Sequence, residues 1–174
     1  FMPMEMLGSH IGSPTCHTTG RKHALSFRAM IALFGWLGVE WNLLTLSDKE
    51  KAGLRSAIEF YKSQRDFLHS AQFVRVDHPD SSIDIRGVYS GGQGLFAITR
   101  LHSGPSNHSA PLRFPMFKDA GEVFVHVVPL GTPRWALHRK LPQWISNQSE
   151  IMSGSMLANI GLPMPSLMPE SSFL

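Results

Sequence analysis

The sequence of 174 residues contains a single cysteine and comparatively little charge. Cys16 has no second cysteine with which to form an intramolecular disulfide, and this weakly favours a reducing compartment such as the cytoplasm. Charged residues make up 17% of the chain, below the usual quarter, and its lysines and arginines are scattered. Proteins that bind nucleic acids concentrate their basic residues on one face or in one run. We therefore expect an ordinary solvated surface and no nucleic-acid partner.

The sequence also lacks long apolar runs. None approaches the ~18 residues that a membrane-spanning helix needs, so no membrane association is expected. Residues 1–5 lack the basic start and apolar stretch of a signal peptide, which again favours the cytoplasm. The chain opens abruptly on apolar residues without an initiator-like start. We therefore expect it to be part of a longer protein, in which case the missing signal peptide does not decide export.

Motifs of common catalytic and metal sites are missing too. A zinc helix needs two histidines four residues apart beside a glutamate, and none of the nine histidines provides that pair. No serine occupies the Gly-x-Ser-x-Gly context of a hydrolase nucleophile. The glycine-rich segment 90–94 lacks the lysine of a phosphate-binding loop and is interpreted as a hairpin turn. The sequence thus predicts no metal, no cofactor and no complete catalytic set within the chain.

The first third predicts one strand, a loop and a helix. Met4–Ile11 has the apolar character of a buried strand, and a polar loop follows through Arg21. Leu25–Leu37 has helical periodicity and is apolar nearly all round, which predicts a buried helix. A single strand with its helix cannot bury both of its faces, so this segment needs neighbours.

A second helix is predicted from Ser47. Ser47 and Glu50 form a capping box, in which each side chain satisfies a free backbone N–H of the other residue. Leu54, Ile58, Tyr61 and Leu68 form an apolar stripe on one side, while the other side is charged. The pattern predicts an amphipathic surface helix.

After Ala71 the periodicity changes from about 3.6 to 2, which predicts an antiparallel sandwich or barrel of short strands. The predicted strands are 73–77, 83–89, 95–101, 112–116, 123–130 and 151–157. The tail from Gly161, rich in proline, methionine and serine, is expected to lie extended over the surface.

Several stretches form a recognisable combination. They are segments 5–11 (EMLGSHI), 16–21 (CHTTGR), 27–29 (FRA), 34–41 (FGWLGVEW) and 60–65 (FYKSQR), with 153–157 (SGSML) and 161–163 (GLP) near the end. This combination resembles the C-terminal part of the α-galactosidases (melibiases) of glycoside hydrolase family 36. The resemblance is strong over residues 1–68 and looser beyond.

The resemblance implies an α+β chain of two parts. Residues 1–71 would be the C-terminal end of a (β/α)8 catalytic barrel, with Met4–Ile11 as its last strand and Leu25–Leu37 as the helix of that strand. Residues 72–174 would form the antiparallel β-sandwich domain that follows the barrel. The change of periodicity after Ala71 agrees with this division.

The family is a retaining glycosidase family that removes terminal α-linked galactose with two aspartates, one of them in a Lys-Trp-Asp motif. That motif is absent here, and Asn42 stands where relatives usually carry an acid. The resemblance thus implies α-galactoside oligosaccharides of the melibiose and raffinose type as partners, with no catalytic residue in this chain. The chain alone is expected to be inactive, and a homo-oligomer is expected because family members are often oligomeric.

Barrel enzymes build their active sites at the C-terminal ends of their strands. The resemblance therefore makes Gly8, Ser9 and His10, at the end of the predicted strand, candidates for substrate binding. His17 and Arg21, in the loop after it, are the other two candidates. The alternative, which we favour from the residues alone, is that this loop hydrogen-bonds itself.

A different function class stays open at this point. The chain could be a stand-alone, non-catalytic β-sandwich module that binds carbohydrate or protein. Trp135 and Trp144 would then offer rings on which a sugar stacks, although tryptophans of this kind more often belong to a core or a domain interface.

Overall fold

The computed structural model describes residues 6–104, 109–128, 130–131, 133–136 and 140–174. It has the helices and antiparallel sheet of an α+β protein, preceded by a parallel pair of strands.

A β-α-β unit opens the described chain. Strand β1 spans Gly8–Gly12, helix α1 spans Leu25–Ala32, and strand β2 spans Trp36–Glu40. The two strands are parallel, with His10 opposite Gly38. A right-handed crossover through a helix is the usual way to join two parallel strands.

Two predictions for this unit are wrong in their bounds. The helix predicted over Leu25–Leu37 ends at Ala32, and the residues from Trp36 onward form β2. The predicted strand Met4–Ile11 is therefore not the last parallel strand of the chain. Its first two positions lie outside the described residues, and β1 begins only at Gly8. A short buried strand and a buried helix end are both continuous apolar runs, so periodicity does not separate them.

Helix α2 spans Asp48–Ser70 and confirms the predicted capping box. The Ser47 hydroxyl accepts a hydrogen bond from the Glu50 N–H (3.3 Å), and the Glu50 carboxylate accepts one from the Ser47 N–H (2.9 Å). The helix buries Leu54, Tyr61 and Leu68, as its apolar stripe requires. Within the described ranges, no helix is both long and apolar enough to cross a membrane.

Four antiparallel strands form the main sheet in the order β3-β4-β5-β8. Their bounds are Gln72–Val76, Ile83–Ser90, Gln93–Arg100 and Ser171–Phe173. Strands β4 and β5 are joined by Gly91 and Gly92, which have φ of 57° and 82°. Two consecutive residues at positive φ give the tight hairpin turn that glycine adopts without strain, which confirms the turn interpretation of this segment.

A second, two-stranded sheet lies later in the chain. It consists of β6 (Glu122–His126) and β7 (Ser149–Ser153), with the short helix α3 (Gln143–Ser146) between them and helix α4 (Gly154–Asn159) after them. The strand predicted over 151–157 is thus wrong beyond Ser153, whose hydroxyl caps α4.

Two further strand predictions are wrong in part. Leu112 makes only an isolated bridge to Leu162, and Pro115–Phe117 is a 3-10 turn. The strand predicted over 123–130 stops at His126.

The C-terminal tail is the largest departure from expectation. Leu162, Pro165, Leu167 and Phe173 are all buried, and the tail ends as β8 alongside β5. The predicted surface course of this tail is therefore wrong. Proline-rich sequence predicts an irregular path, but it does not predict exposure.

The main sheet is buried on both faces. On one face a row of side chains crosses all four strands: Val76, Ile85, Ile98 and Phe173. This row packs with residues of the α3, α4 and β6–β7 region, among them Trp144 and Leu157.

The other face of the main sheet carries Val88 and Ala97, which pack with residues of β1, α1 and α2 such as Ile11 and Leu68. The helical first third and the β-rich remainder therefore share one core cluster.

Candidate functional site

The C-terminal edge of the parallel pair is where the sequence places the candidate site. Strands β1 and β2 end at Gly12 and Glu40, and the loops 13–24 and 41–47 leave from that edge. Ile11 is fully buried against α1 and α2. Because side chains alternate along a strand, His10 lies on the opposite face, where it is exposed.

The imidazole of His10 lies over Gly38 of the neighbouring strand. A Cβ atom at Gly38 would come within 2.6 Å of His10 Cδ2. The ring therefore occupies space that any other residue at position 38 would fill. Glycine at position 38 leaves room for the His10 ring beside the neighbouring strand.

Gly8 and Ser9 are placed differently from His10. Gly8 opens β1, roughly 13 Å of strand away from Gly12 at 3.3 Å per residue. Ser9 is half-buried and lies on the same face as Ile11. Of the three strand candidates, the structure puts only His10 both on the exposed face and near the C-terminal edge.

The loop after β1 satisfies much of its own backbone. The Cys16 N–H donates to the Arg21 carbonyl (2.9 Å), the Gly20 N–H donates to the Cys16 carbonyl (2.8 Å), and the His23 N–H donates to the Pro14 carbonyl (3.0 Å). These bonds agree with the alternative that the loop residues hold the loop together.

His17 lies near the tip of this loop and is exposed. Hydrogen bonds from the side chain and backbone of Thr19, and then from Thr18, lower the pKa of the neighbouring Cys16 thiol.

Arg21, the fifth candidate, is already bound by the C-terminal tail. Its guanidinium donates a hydrogen bond to the carboxylate of Glu170. The same carboxylate oxygen is 3.7 Å from His23 Nε2. Burial lowers the pKa of His23, and the charges of Arg21, Arg28 and Arg134 lower it further.

Arg28 of α1 is a residue that the site prediction missed. Its Nε donates to the His23 carbonyl (3.2 Å), and its Nη1 donates to the carbonyl of Gly12 at the end of β1. The guanidinium also lies 4.6 Å from the centroid of the Trp41 ring, directly after β2. Arg28 therefore ties the ends of both parallel strands to the loop.

Burial lowers the pKa of Arg28, and the carboxylate of Glu50 opposes this shift. The only sequence signal for Arg28 is its place in the FRA stretch of the family resemblance. No pattern in the sequence points to Glu170 as a partner of Arg21, because the two residues are 149 positions apart.

The site is poor in carboxylates. Glu40 is the single acidic residue between Gly8 and Ser47, whereas the same stretch contains Arg21, Lys22 and Arg28. Glu5, the acidic residue of the predicted strand Met4–Ile11, lies outside the described residues. Across the described part of the chain, no cluster of three or more His, Cys, Asp or Glu side chains is arranged to hold a metal ion. The edge can bind and orient a polar ligand, but a glycosidase reaction needs a second carboxylate.

A separate cavity of about 370 Å³ lies between the main sheet and β6–β7. Its lining is mostly apolar and includes Phe96, Phe117, Val123 and Trp144. Among the described residues, Glu122 and His126 are the only acidic residue and the only histidine in its lining. A glycosidase site needs two carboxyl groups, so this cavity is not a hydrolytic site by itself.

The family model of the melibiases matches residues 1–71. Over its whole length the chain is 38% identical to an α-galactosidase of Escherichia coli, and it spans 25% of that enzyme. Over 45% of its length it is 32% identical to the bifunctional α-galactosidase/sucrose kinase AgaSK of Mediterraneibacter gnavus, of which it spans 8%.

The fold is shared with a solved α-galactosidase, AgaA from Geobacillus stearothermophilus in complex with 1-deoxygalactonojirimycin. The TM-score is 0.74 at 20% identity, and the match covers 99% of this chain and 21% of that one. At this identity the structural match shows the fold alone. Together, the matches support a fragment of a melibiase-family protein, of the α-galactosidases of glycoside hydrolase family 36.

Proposed function

We propose that this chain is the C-terminal part of a retaining α-galactosidase that removes terminal α-linked galactose from oligosaccharides of the melibiose and raffinose type. The observation that carries the proposal is the 38% identity to the E. coli α-galactosidase along the entire chain. Structures of the neighbour AgaA, in complex with stachyose and with raffinose, support this substrate class.

Residues 1–71 form the end of the catalytic barrel in this proposal, and residues 72–174 form the β-sandwich domain after it. The family match ends at residue 71, which is also the C-cap of α2. The parallel β1–β2 pair with its crossover helix is the repeating unit of such a barrel. The two antiparallel sheets on either side of the apolar cavity support a sandwich.

The chemistry is divided between this chain and the remainder of the protein. A retaining glycosidase holds two carboxyl groups about 5 Å apart, one as nucleophile and one as acid/base. The stretch 8–47 offers only Glu40. In this proposal the catalytic aspartates come from outside this chain, and the chain contributes part of the wall of the sugar-binding site.

His10 is the strongest substrate-binding candidate, because it is exposed near the C-terminal edge and lies across Gly38. His17, in the adjoining loop, is the second. Gly8 and Ser9 shape the strand that carries His10, and Arg21 holds the loop through Glu170. A neutral imidazole both donates and accepts hydrogen bonds, which suits the hydroxyl groups of galactose.

The activity is tested with the complete gene product that contains this chain. It is expected to hydrolyse p-nitrophenyl α-galactoside and to release the α-anomer of galactose first, as NMR would detect. Residues 1–174 alone are expected to show no hydrolysis. An inactive complete product, or one that releases the β-anomer first, would contradict the proposal.

The role of His10 is tested by His10→Ala in that complete protein. We expect kcat/KM to fall about tenfold, the value of one or two hydrogen bonds to a bound substrate. His126→Ala is the matched control, since His126 is an exposed histidine of β6. An unchanged kcat/KM in His10→Ala would show that His10 does not touch the sugar.

The alternative, a stand-alone binding module, finds less support. Trp144 is buried, and its Nε1–H donates to the Pro163 carbonyl (2.9 Å). Trp135 is half-buried, and its ring lies against Phe173 at 5.5 Å between centroids. Both rings are thus engaged in packing.

Cytoplasmic location and a homo-oligomeric state remain predictions of the same proposal. Light scattering on the purified complete protein measures the oligomeric state, and a mass equal to one subunit would contradict the second prediction. Fractionation of the source cells decides the first.

A further inference from the structure

An ion pair joins the loop at the candidate site to the far end of the chain. The Arg21 guanidinium donates to Glu170, which directly precedes β8. His23 approaches the same carboxylate oxygen at 3.7 Å. The loop after β1 is therefore restrained by the C-terminal part of the protein as well as by its own hydrogen bonds.

The backbone around Glu170 is held by hydrogen bonds to the core. Its N–H donates to the Arg100 carbonyl of β5 (2.8 Å), and Arg134 Nη2 donates to the Pro169 carbonyl beside it (2.7 Å). The next residues, Ser171 to Leu174, are all buried. The carboxylate thus extends toward the loop from a fixed support.

The backbone of Glu170 is in an uncommon conformation. Its φ is 54°, in the left-handed region that costs a residue with a Cβ roughly 1 kcal/mol or more. Such strain persists where the surroundings hold it, and it concentrates at functional sites. In this conformation the side chain of Glu170 reaches Arg21.

The charges around the loop explain why a carboxylate is needed there. Arg21, Arg28 and Arg134 all act on His23 as positive charges. The loop itself contains no acidic residue. The carboxylate of Glu170 lies against Arg21 and His23. The Glu170 side chain is 25% exposed and that of Arg21 is 58% exposed, so solvent screens this attraction from the Arg21 side.

We propose that Glu170 is a positioning residue of the sugar-binding site, which fixes the loop 13–24 at the C-terminal edge of β1 and so sets the position of His17. This role rests on the proposed function. It also assigns the C-terminal part of the protein a direct effect on a site formed at the end of the parallel strands.

The first test measures the loop itself and needs no activity. In the folded complete protein, Glu170→Gln is expected to speed tryptic cleavage after Arg21 and Lys22 about three- to fivefold, the upper part of the range for an ion pair with a solvent-exposed partner. Glu150→Gln is the matched control, because Glu150 is a partly buried carboxylate of β7. Mass spectrometry of the fragments identifies the bonds that are cut.

The second test separates positioning from a merely structural role. Glu170→Gln is expected to raise KM for p-nitrophenyl α-galactoside about threefold with little change in kcat. The exchange Arg21→Glu with Glu170→Arg is expected to bring KM part of the way back to the wild-type value, because it re-forms the pair with the charges reversed. This variant is read by KM alone, since it removes the trypsin site after residue 21.

Cleavage in Glu170→Gln at the wild-type rate would overturn the proposal, as would the same acceleration in Glu150→Gln. Faster cleavage with an unchanged KM would overturn the positioning role and leave a structural ion pair. If the complete protein hydrolyses no galactoside, the proposed function fails, while the cleavage rates still decide whether Glu170 holds the loop.

Discussion

The main antiparallel sheet and the parallel β1–β2 pair differ in how many of their faces are buried. The sheet buries both faces, one against α1 and α2 and the other against the β6–β7 region. The parallel pair buries the Ile11 face of β1, while His10 on the opposite face is exposed. The difference separates positions that stabilise the protein from positions available to a ligand.

The charged groups show the same contrast. In the β-rich part Asp80 and Arg100 are buried together, 3.5 Å apart, and Ser82 donates to the carboxylate from its hydroxyl (2.7 Å) and its N–H (2.9 Å). Around β1 the cations lie nearer the solvent and share a carboxylate from the tail. The buried Asp80–Arg100 pair contributes to packing, whereas the more exposed charges around β1 are accessible to a ligand.

The largest expected effect is on the buried sheet. Phe173→Ala removes a 1% exposed ring that ends the row across all four strands, and we expect a loss of about 3–5 kcal/mol in the free energy of unfolding. Urea denaturation measures it. Phe124→Ala is the control, since Phe124 is 60% exposed and its loss should cost less than about 0.5 kcal/mol. Equal effects of the two changes would contradict the assignment of the core.

Next in size is the buried ion pair. Asp80→Ala leaves Arg100 without its counter-charge in the interior, and we expect about 3 kcal/mol of destabilisation in the same denaturation experiment. Asp119→Ala, at an exposed position, should change stability by less than about 0.5 kcal/mol. A loss below about 1 kcal/mol in Asp80→Ala would show that Arg100 is solvated.

This pair also gives stability a pH dependence. Burial opposes the ionisation of Asp80, but the hydrogen bonds from Ser82 and the charges of Arg100 and His78 outweigh it and lower the pKa of Asp80. A carboxyl whose pKa is lower in the folded state stabilises the fold above its ordinary pKa of about 3.9. That stability is lost as pH falls through the folded-state value, and the acid-dependent loss should be smaller in Asp80→Asn.

A smaller effect is expected at the start of α2, whose cap was predicted from sequence. Ser47→Ala removes the hydroxyl that accepts from Glu50 N–H, and about 1 kcal/mol should be lost. Ser56→Ala is the matched control, because Ser56 lies inside the same helix and its hydroxyl donates only to the Ala52 carbonyl. Ser56→Ala should be neutral or slightly stabilising, since alanine is the better helix former.

The smallest expected effect on stability is at His10. His10→Ala should leave the free energy of unfolding within about 0.5 kcal/mol, because the side chain is exposed and does not pack in the core. A loss above 2 kcal/mol would remove the contrast between the two regions and make His10 a structural residue.

Local signals in the sequence predicted much of this fold. The capping box marked the start of α2, Gly91 and Gly92 marked the hairpin, and the change of periodicity after Ala71 marked the antiparallel part. These predictions succeeded because each depends on residues close together in the chain. The end of α1 and the presence of β2 were missed because both segments are buried apolar runs.

The sequence by itself indicated the family and determined the main local elements, since motifs, caps and turns are written in consecutive residues. Only the tertiary structure decided that the C-terminal tail is buried as β8, that Arg28 joins the ends of both parallel strands, and that Glu170 binds Arg21. Contacts between residues as much as 149 positions apart depend on how the elements pack. Packing depends on the whole chain, so local sequence patterns do not predict these contacts.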